Sequence, residues 1–112
     1  MKVSKHSAEH YVWGDVCDGW HLVKDERLSI IHERMPAGTS EVRHYHEQSR
    51  QFFFVLTGSL AIELGGEVVE LEPQEGVEVP PLTPHQVRNV SGEAAEFLVI
   101  SSPTTRGDRH KA

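Results

Sequence analysis

The chain has 112 residues, of which 38% are hydrophobic and 25% charged, and its formal net charge is −6 at pH 7. That length suits one domain with one core and leaves no room for a second. The acidic balance disfavours nucleic acid as a partner, the lack of any long apolar run excludes a membrane helix, and the lone Cys17 excludes an internal disulfide framework.

Residues 1–26 are polar and mixed, with apolar or aromatic spots at Tyr11-Val12-Trp13, Trp20 and Leu22-Val23. No helical period of apolar residues runs through them, so the pattern predicts one or two short strands with turns, an edge segment of the same domain. The opening residues lack the apolar core of a secretory signal and the basic amphipathic character of a transit peptide, so the expected compartment is cytoplasmic. Trp13 and Trp20 are expected to cover a core edge or a subunit contact, and Cys17 to be a small buried residue. His6, His10 and His21 are expected at the surface.

From Arg27 the chain becomes strand-like. RLSIIHERM ends at the turn Pro36-Ala37-Gly38, and a strand bearing His44 and His46 follows. Then come QFFFVLTG, SLAIELGG, EVVELEPQEG, VEVPPLTPH, QVRNVSGEAA and EFLVISSP, each a short run rich in β-branched or aromatic residues and bounded by turn residues. Such runs predict an all-β domain of antiparallel sheets, a sandwich or barrel over 27–104, with almost no helix. Between Leu60 and Leu71, LAIEL and EVVEL flank Gly65-Gly66, a two-residue hairpin loop that accepts positive φ. The polar tail 105–112 is expected to follow an edge briefly and then fray. Its Arg106-Gly107-Asp108, and the glycosylation-like Asn89-Val90-Ser91, read as coincidences in a cytoplasmic chain.

Chemistry concentrates between Gly38 and Gly58. On an extended strand, side chains two apart share a side, so His44 and His46 point together, a spacing that suits a divalent transition metal. A third imidazole, His85, arrives on a stretch stiffened by Pro80, Pro81 and Pro84. Gly38, His44, His46, Gln51 and Gly58 keep every interval of the first cupin motif, with glutamine where that motif has glutamate. Pro80, Pro81, His85 and Asn89 match the second motif, with Leu82 in place of its turn glycine and Gln74 in place of its opening glycine. The chain thus resembles a small single-domain cupin. The resemblance implies a double-stranded β-helix, or jelly-roll barrel, of two antiparallel sheets. It also implies one divalent ion, Fe, Mn, Co, Ni, Cu or Zn, held by His44, His46, Gln51 and His85 in an open-mouthed pocket.

On that reading the function is metal-dependent chemistry on a small oxygenated substrate, dioxygenase-like or isomerase-like, with a non-catalytic binding or sensing module as the alternative. Small cupins commonly pair, so a homodimer is expected. Alternation beyond Gln51 puts Phe53 and Val55 on the pocket side, and one of His32 or Glu33 is expected to face inward. No interior acid or base is otherwise evident. Glutamine offers a metal its carbonyl oxygen but no charge, leaving a divalent centre near +2 where glutamate would leave it near +1. Gln51→Glu is therefore expected to raise metal affinity in a titration, and unchanged affinity would count against Gln51 as a ligand.

Overall fold

The computed structural model describes residues 1–112 and contains eleven strands and no helix. They are β1 (Glu9–Trp13), β2 (Cys17–Lys24), β3 (Ser29–Met35), β4 (His44–Tyr45), β5 (Arg50–Thr57), β6 (Leu60–Leu64), β7 (Glu67–Leu71), β8 (Gly76–Val79), β9 (His85–Arg88), β10 (Ala95–Ser102) and β11 (His110–Lys111). All pair antiparallel, in a six-stranded sheet of order β1-β2-β3-β10-β5-β8 and a five-stranded sheet of order β11-β4-β9-β6-β7.

Period-two burial decides which faces meet. In β10, Ala95, Phe97, Val99 and Ser101 are buried while Glu96, Leu98 and Ile100 are not. Opposite them on β5 stand Val55, Phe53 and Gln51, in the pairs Phe97↔Val55, Val99↔Phe53 and Ser101↔Gln51. The apolar pairs join Met35, Ile62, Val79 and Val87 in one core. Each such side chain, fully withdrawn from water, contributes about 1.5–3 kcal/mol before entropy is counted. The same register carries the pocket: apolar pairs fill one end of the barrel, and the polar pair Ser101↔Gln51 continues that face toward the histidines.

Three residues show what the motif turns need. Gly58 adopts φ +76, and a Cβ there would stand 2.5 Å from the Ala94 carbonyl oxygen and 2.8 Å from Ala95 Cα, both backbone atoms that cannot swing aside. Gln74 and Leu82, the two residues standing where the cupin motif has glycine, also have left-handed backbones, at φ 69 and φ 66. The turn geometry survives without the glycines, at the cost of local strain. Leu82 keeps its place because its N–H donates to the carbonyl of His46 at 2.7 Å, tying the second motif to the first.

The tail departs from expectation. Rather than fraying, it returns along the second sheet, where His110 pairs with Tyr45 and Lys111 with His44. Asn89 is also informative: its side chain is buried and donates to the carbonyls of Met35 and Glu93, so the folded chain has no free amide there to glycosylate.

Gly58→Ala is expected to lower stability by more than about 2 kcal/mol, since it adds both left-handed strain and overlap. Leu82→Gly should relieve about 1–2 kcal/mol of strain while adding about 0.5–1 kcal/mol of chain entropy, for a net gain near 0.5 kcal/mol. Urea denaturation of the two variants checks both signs.

Candidate metal centre

Strand pairing assembles the three histidines. His44 on β4 faces His85 on β9 in register, and His46 lies one pleat beyond His44, with Tyr45 turned outward between them. All three are buried, with ring centroids 4.4, 4.9 and 5.4 Å apart. Their ligand atoms lie within 4.8 Å of one another, which positions them to bind one metal ion.

Backbone carbonyls fix the tautomers. His44 Nδ1–H donates to Val42 O at 2.7 Å, His85 Nδ1–H to Thr83 O at 2.9 Å, and His46 Nδ1–H to Asp108 O. Each ring therefore turns its Nε2 lone pair inward, the arrangement found where an imidazole ligates a metal. Burial lowers all three imidazole pKa values, that of His44 to about 3, so the rings are neutral at pH 7. Gln51 Nε2 donates to Ser101 Oγ at 3.1 Å, as the cross-strand register requires, which leaves Oε1 free. The buried Nε2 atoms of His46 and His85 and the Oε1 of Gln51 have no hydrogen-bond partner in the protein. Buried polar atoms without partners are rare, and three converging lone pairs suit a cation. The donor set fits a divalent ion.

His44, His46 and Gln51 border a cavity of about 120 Å³, which His85 does not line; it is walled by Tyr11, Ile31, Phe53 and Val99 on its apolar side and by Glu33, Glu41 and Arg109 on its polar side. Tyr11, Gly19 and Glu33 lie in one row across β1, β2 and β3. A Cβ at Gly19 would overlap the Tyr11 ring, so the glycine lets that ring lean across β2 and donate its hydroxyl proton to Glu33 Oε2 at 3.1 Å. Burial raises the Glu33 carboxyl to about 7 against the opposing pull of that hydrogen bond. Burial, and secondarily the charge of Glu33, holds Glu41 well above the usual carboxylate range. Glu41 Oε2 lies 3.5 Å from His44 Nδ1 and has no hydrogen bond. A larger open groove of about 470 Å³ shares Ile31 and Thr105 with this cavity but contains none of the three histidines.

Among the expected wall residues, Phe53 and Glu33 border the cavity and two do not. His32 points to the opposite face of β3, where it bonds Glu96 at 2.7 Å and meets Trp20 edge-on at 5.5 Å. Strand alternation permits only one of the neighbours 32 and 33 to face inward. Val55 does share the face of Gln51, yet it is packed within the core one pair further along and does not reach the cavity. Sequence reasoning missed Tyr11, Glu41 and Arg109. Gly19 was the available signal for Tyr11; nothing local marked the other two, which reach the cavity from irregular backbone and from the tail.

The tail also latches the site. Asp108 accepts hydrogen bonds from the backbone amides of Glu47, Gln48 and Ser49, at 2.7, 2.9 and 3.1 Å, while its carbonyl holds His46. Burial works to raise the Asp108 carboxyl, but the three amides and His110 outweigh it and hold the group at about 2.

A sequence model of the cupin domain matches residues 31–101, and the chain belongs to the cupin family. Among curated relatives, it is 35% identical over 69 residues to polyketide synthase CurC of Streptomyces cyaneus, covering 62% of this chain and 45% of that protein. It is 30% identical over 64 residues to quercetin 2,3-dioxygenase of Bacillus subtilis, covering 57% of this chain and 19% of that one. The chain thus spans less than half the length of either. The crystal structure of the polyketide cyclase RemF from Streptomyces resistomycificus superposes with a TM-score of 0.85 at 20% identity, covering 100% of this chain and 84% of that one, a likeness of fold.

Because the Asp108 carboxyl titrates lower in the folded chain than in the unfolded one, its contribution is present above pH 4 and lost as pH falls toward 2. Asp108→Asn is expected to cost roughly 2 kcal/mol at pH 7, with the deficit closing between about pH 4 and pH 2. Chemical denaturation of both proteins across that range checks it.

Proposed function

We propose that the protein is a metal-dependent enzyme that moves a proton on a small oxygenated substrate, an isomerase-like or cyclase-like activity. One observation carries this reading: a single small cavity is lined by the neutral imidazoles of His44 and His46, which with His85 form one cluster of potential ligands, and, beside them, by the part-buried carboxyl of Glu33 hydrogen-bonded to Tyr11. Ligand pockets for drug-sized molecules start at about 300 Å³, so a cavity of about 120 Å³ takes a small substrate or the reacting end of a larger one.

His44, His46, Gln51 and His85 are the residues that would hold the ion, and its chemistry is polarisation of a substrate carbonyl or hydroxyl oxygen. The proton work falls to the chain. Glu33, whose carboxyl sits at about 7, is suited to accept a proton from carbon or oxygen and to return it at neutral pH. Tyr11 orients that carboxylate through its hydroxyl and keeps the proton on itself, since burial, then the charge of Glu33, raises its own pKa. Ile31, Phe53 and Val99 limit water around the reacting atoms. The relative named quercetin 2,3-dioxygenase supports a second reading, oxygenation at the same site.

Protein loaded separately with Mn, Fe, Co, Ni, Cu and Zn is to be incubated in D₂O with dihydroxyacetone and acetylacetone, and deuterium incorporation followed by NMR. Exchange by the wild type that falls by about 100-fold or more in Glu33→Gln, at equal metal content, is the expected result. Undiminished exchange in that variant removes Glu33 from the chemistry. Oxygen uptake by the iron form without exchange favours oxygenation, and metal binding with neither activity favours a binding module.

A further inference from the structure

The tail brings to the cavity one charged group, Arg109, that acts on its neighbours by charge at a distance but has no direct ion pair or hydrogen bond in the fold. Arg109 lies between Asp108, whose carboxylate is latched to the turn at Glu47–Ser49, and His110, which pairs with Tyr45. Its backbone is held on both sides, and its side chain, exposed at the mouth, borders the cavity lined by His44 and His46. Glu33 and Glu41 border the same cavity, yet the guanidinium lies beyond the 4.0 Å ion-pair distance from either and makes no hydrogen bond. Being exposed at the mouth, the guanidinium is open to a ligand entering from solvent.

Charge and shape then select a ligand. The guanidinium is a planar fork whose donors match the two oxygens of a carboxylate. The four residues suited to hold a metal are all uncharged, so a divalent ion together with Arg109 leaves the cavity net positive even with Glu33 and Glu41 both ionised. At liquid density about 120 Å³ holds about four waters, which suits a molecule of a few carbon atoms.

We propose that Arg109 is the specificity-determining residue of this site and that the substrate is a small carboxylate bearing a second oxygen, a 2-hydroxy or 2-oxo acid. Its carboxylate meets the guanidinium while the second oxygen faces the three histidines. This rests on the reading of the cavity as a metal centre for small oxygenated substrates and narrows it to anions.

The test compares lactate with lactamide, which differ chiefly in charge, by calorimetric titration into zinc-loaded protein after the zinc stoichiometry has itself been titrated. Lactate is expected to bind more tightly than lactamide in the wild type. The ratio is expected to fall by about 10- to 100-fold in Arg109→Gln and by less in Arg109→Lys, which keeps charge without the fork, with zinc affinity not lowered in either variant. An unchanged ratio in Arg109→Gln overturns the proposal, as does undetectable lactate binding to zinc-loaded wild type at tens of millimolar. A ratio that falls only together with zinc affinity makes Arg109 a structural residue and overturns it as well. A wild type that takes up no metal defeats the reading of the cavity itself, so the two failures are told apart at the first titration.

Discussion

A buried polar atom must find a partner, and that requirement organises this molecule from the site outward. Each of the three imidazoles gives one ring nitrogen to a backbone carbonyl and keeps the other for the shared cluster. For His44 and His85 the acceptor is two residues back, so the local chain sets the ring without outside help. For His46 it is 62 residues away, at Asp108. The same rule explains Gln51, whose amide nitrogen is taken by Ser101 and whose oxygen is thereby turned inward. What remains unpartnered is a cluster of lone pairs, which only a cation or a donating ligand can satisfy.

The long-range bond to Asp108 makes the site depend on a segment that composition alone marks as dispensable. Asp108 closes the turn after His46 with its carboxylate and orients His46 with its carbonyl, so one residue couples the tail to the turn and the ring together. The row Tyr11, Gly19, Glu33 does the same on the other side of the cavity. There a missing side chain on the middle strand lets the first strand reach the third.

Charge is distributed in an unusual way as a result. The position where cupins place a glutamate carries a neutral amide, while two carboxyl groups, Glu33 and Glu41, stand in the cavity wall instead. Both are pushed toward the neutral form by burial, while the charge of Arg109, at the mouth and without a direct ion pair, pulls both the other way. A wall carboxyl that can take up or release a proton near neutrality is of more use to a substrate than one committed to an ion.

How much of this was legible depends on the range of the interactions concerned. Alternation and turn residues are local, so the strands, the Gly65-Gly66 hairpin and the shared face of Gln51, Phe53 and Val55 could be read directly, and the cupin spacing brought His44, His46 and His85 into one argument. Alternation also required that one of His32 and Glu33 face inward, but choosing Glu33 needed the register of β3 against β2 and β10. Glu41 precedes β4 in irregular backbone, where no period applies. Arg109 and Asp108 sit in a polar tail whose pairing with β4 is contributed by residues more than sixty positions earlier. The amino-acid sequence by itself determined the barrel and the converging histidines, because both follow from period-two side-chain direction and fixed spacing. Tertiary structure alone decided which acid, which phenol and which guanidinium share the cavity, because those meetings are set by strand register and chain return, which no short window of residues contains.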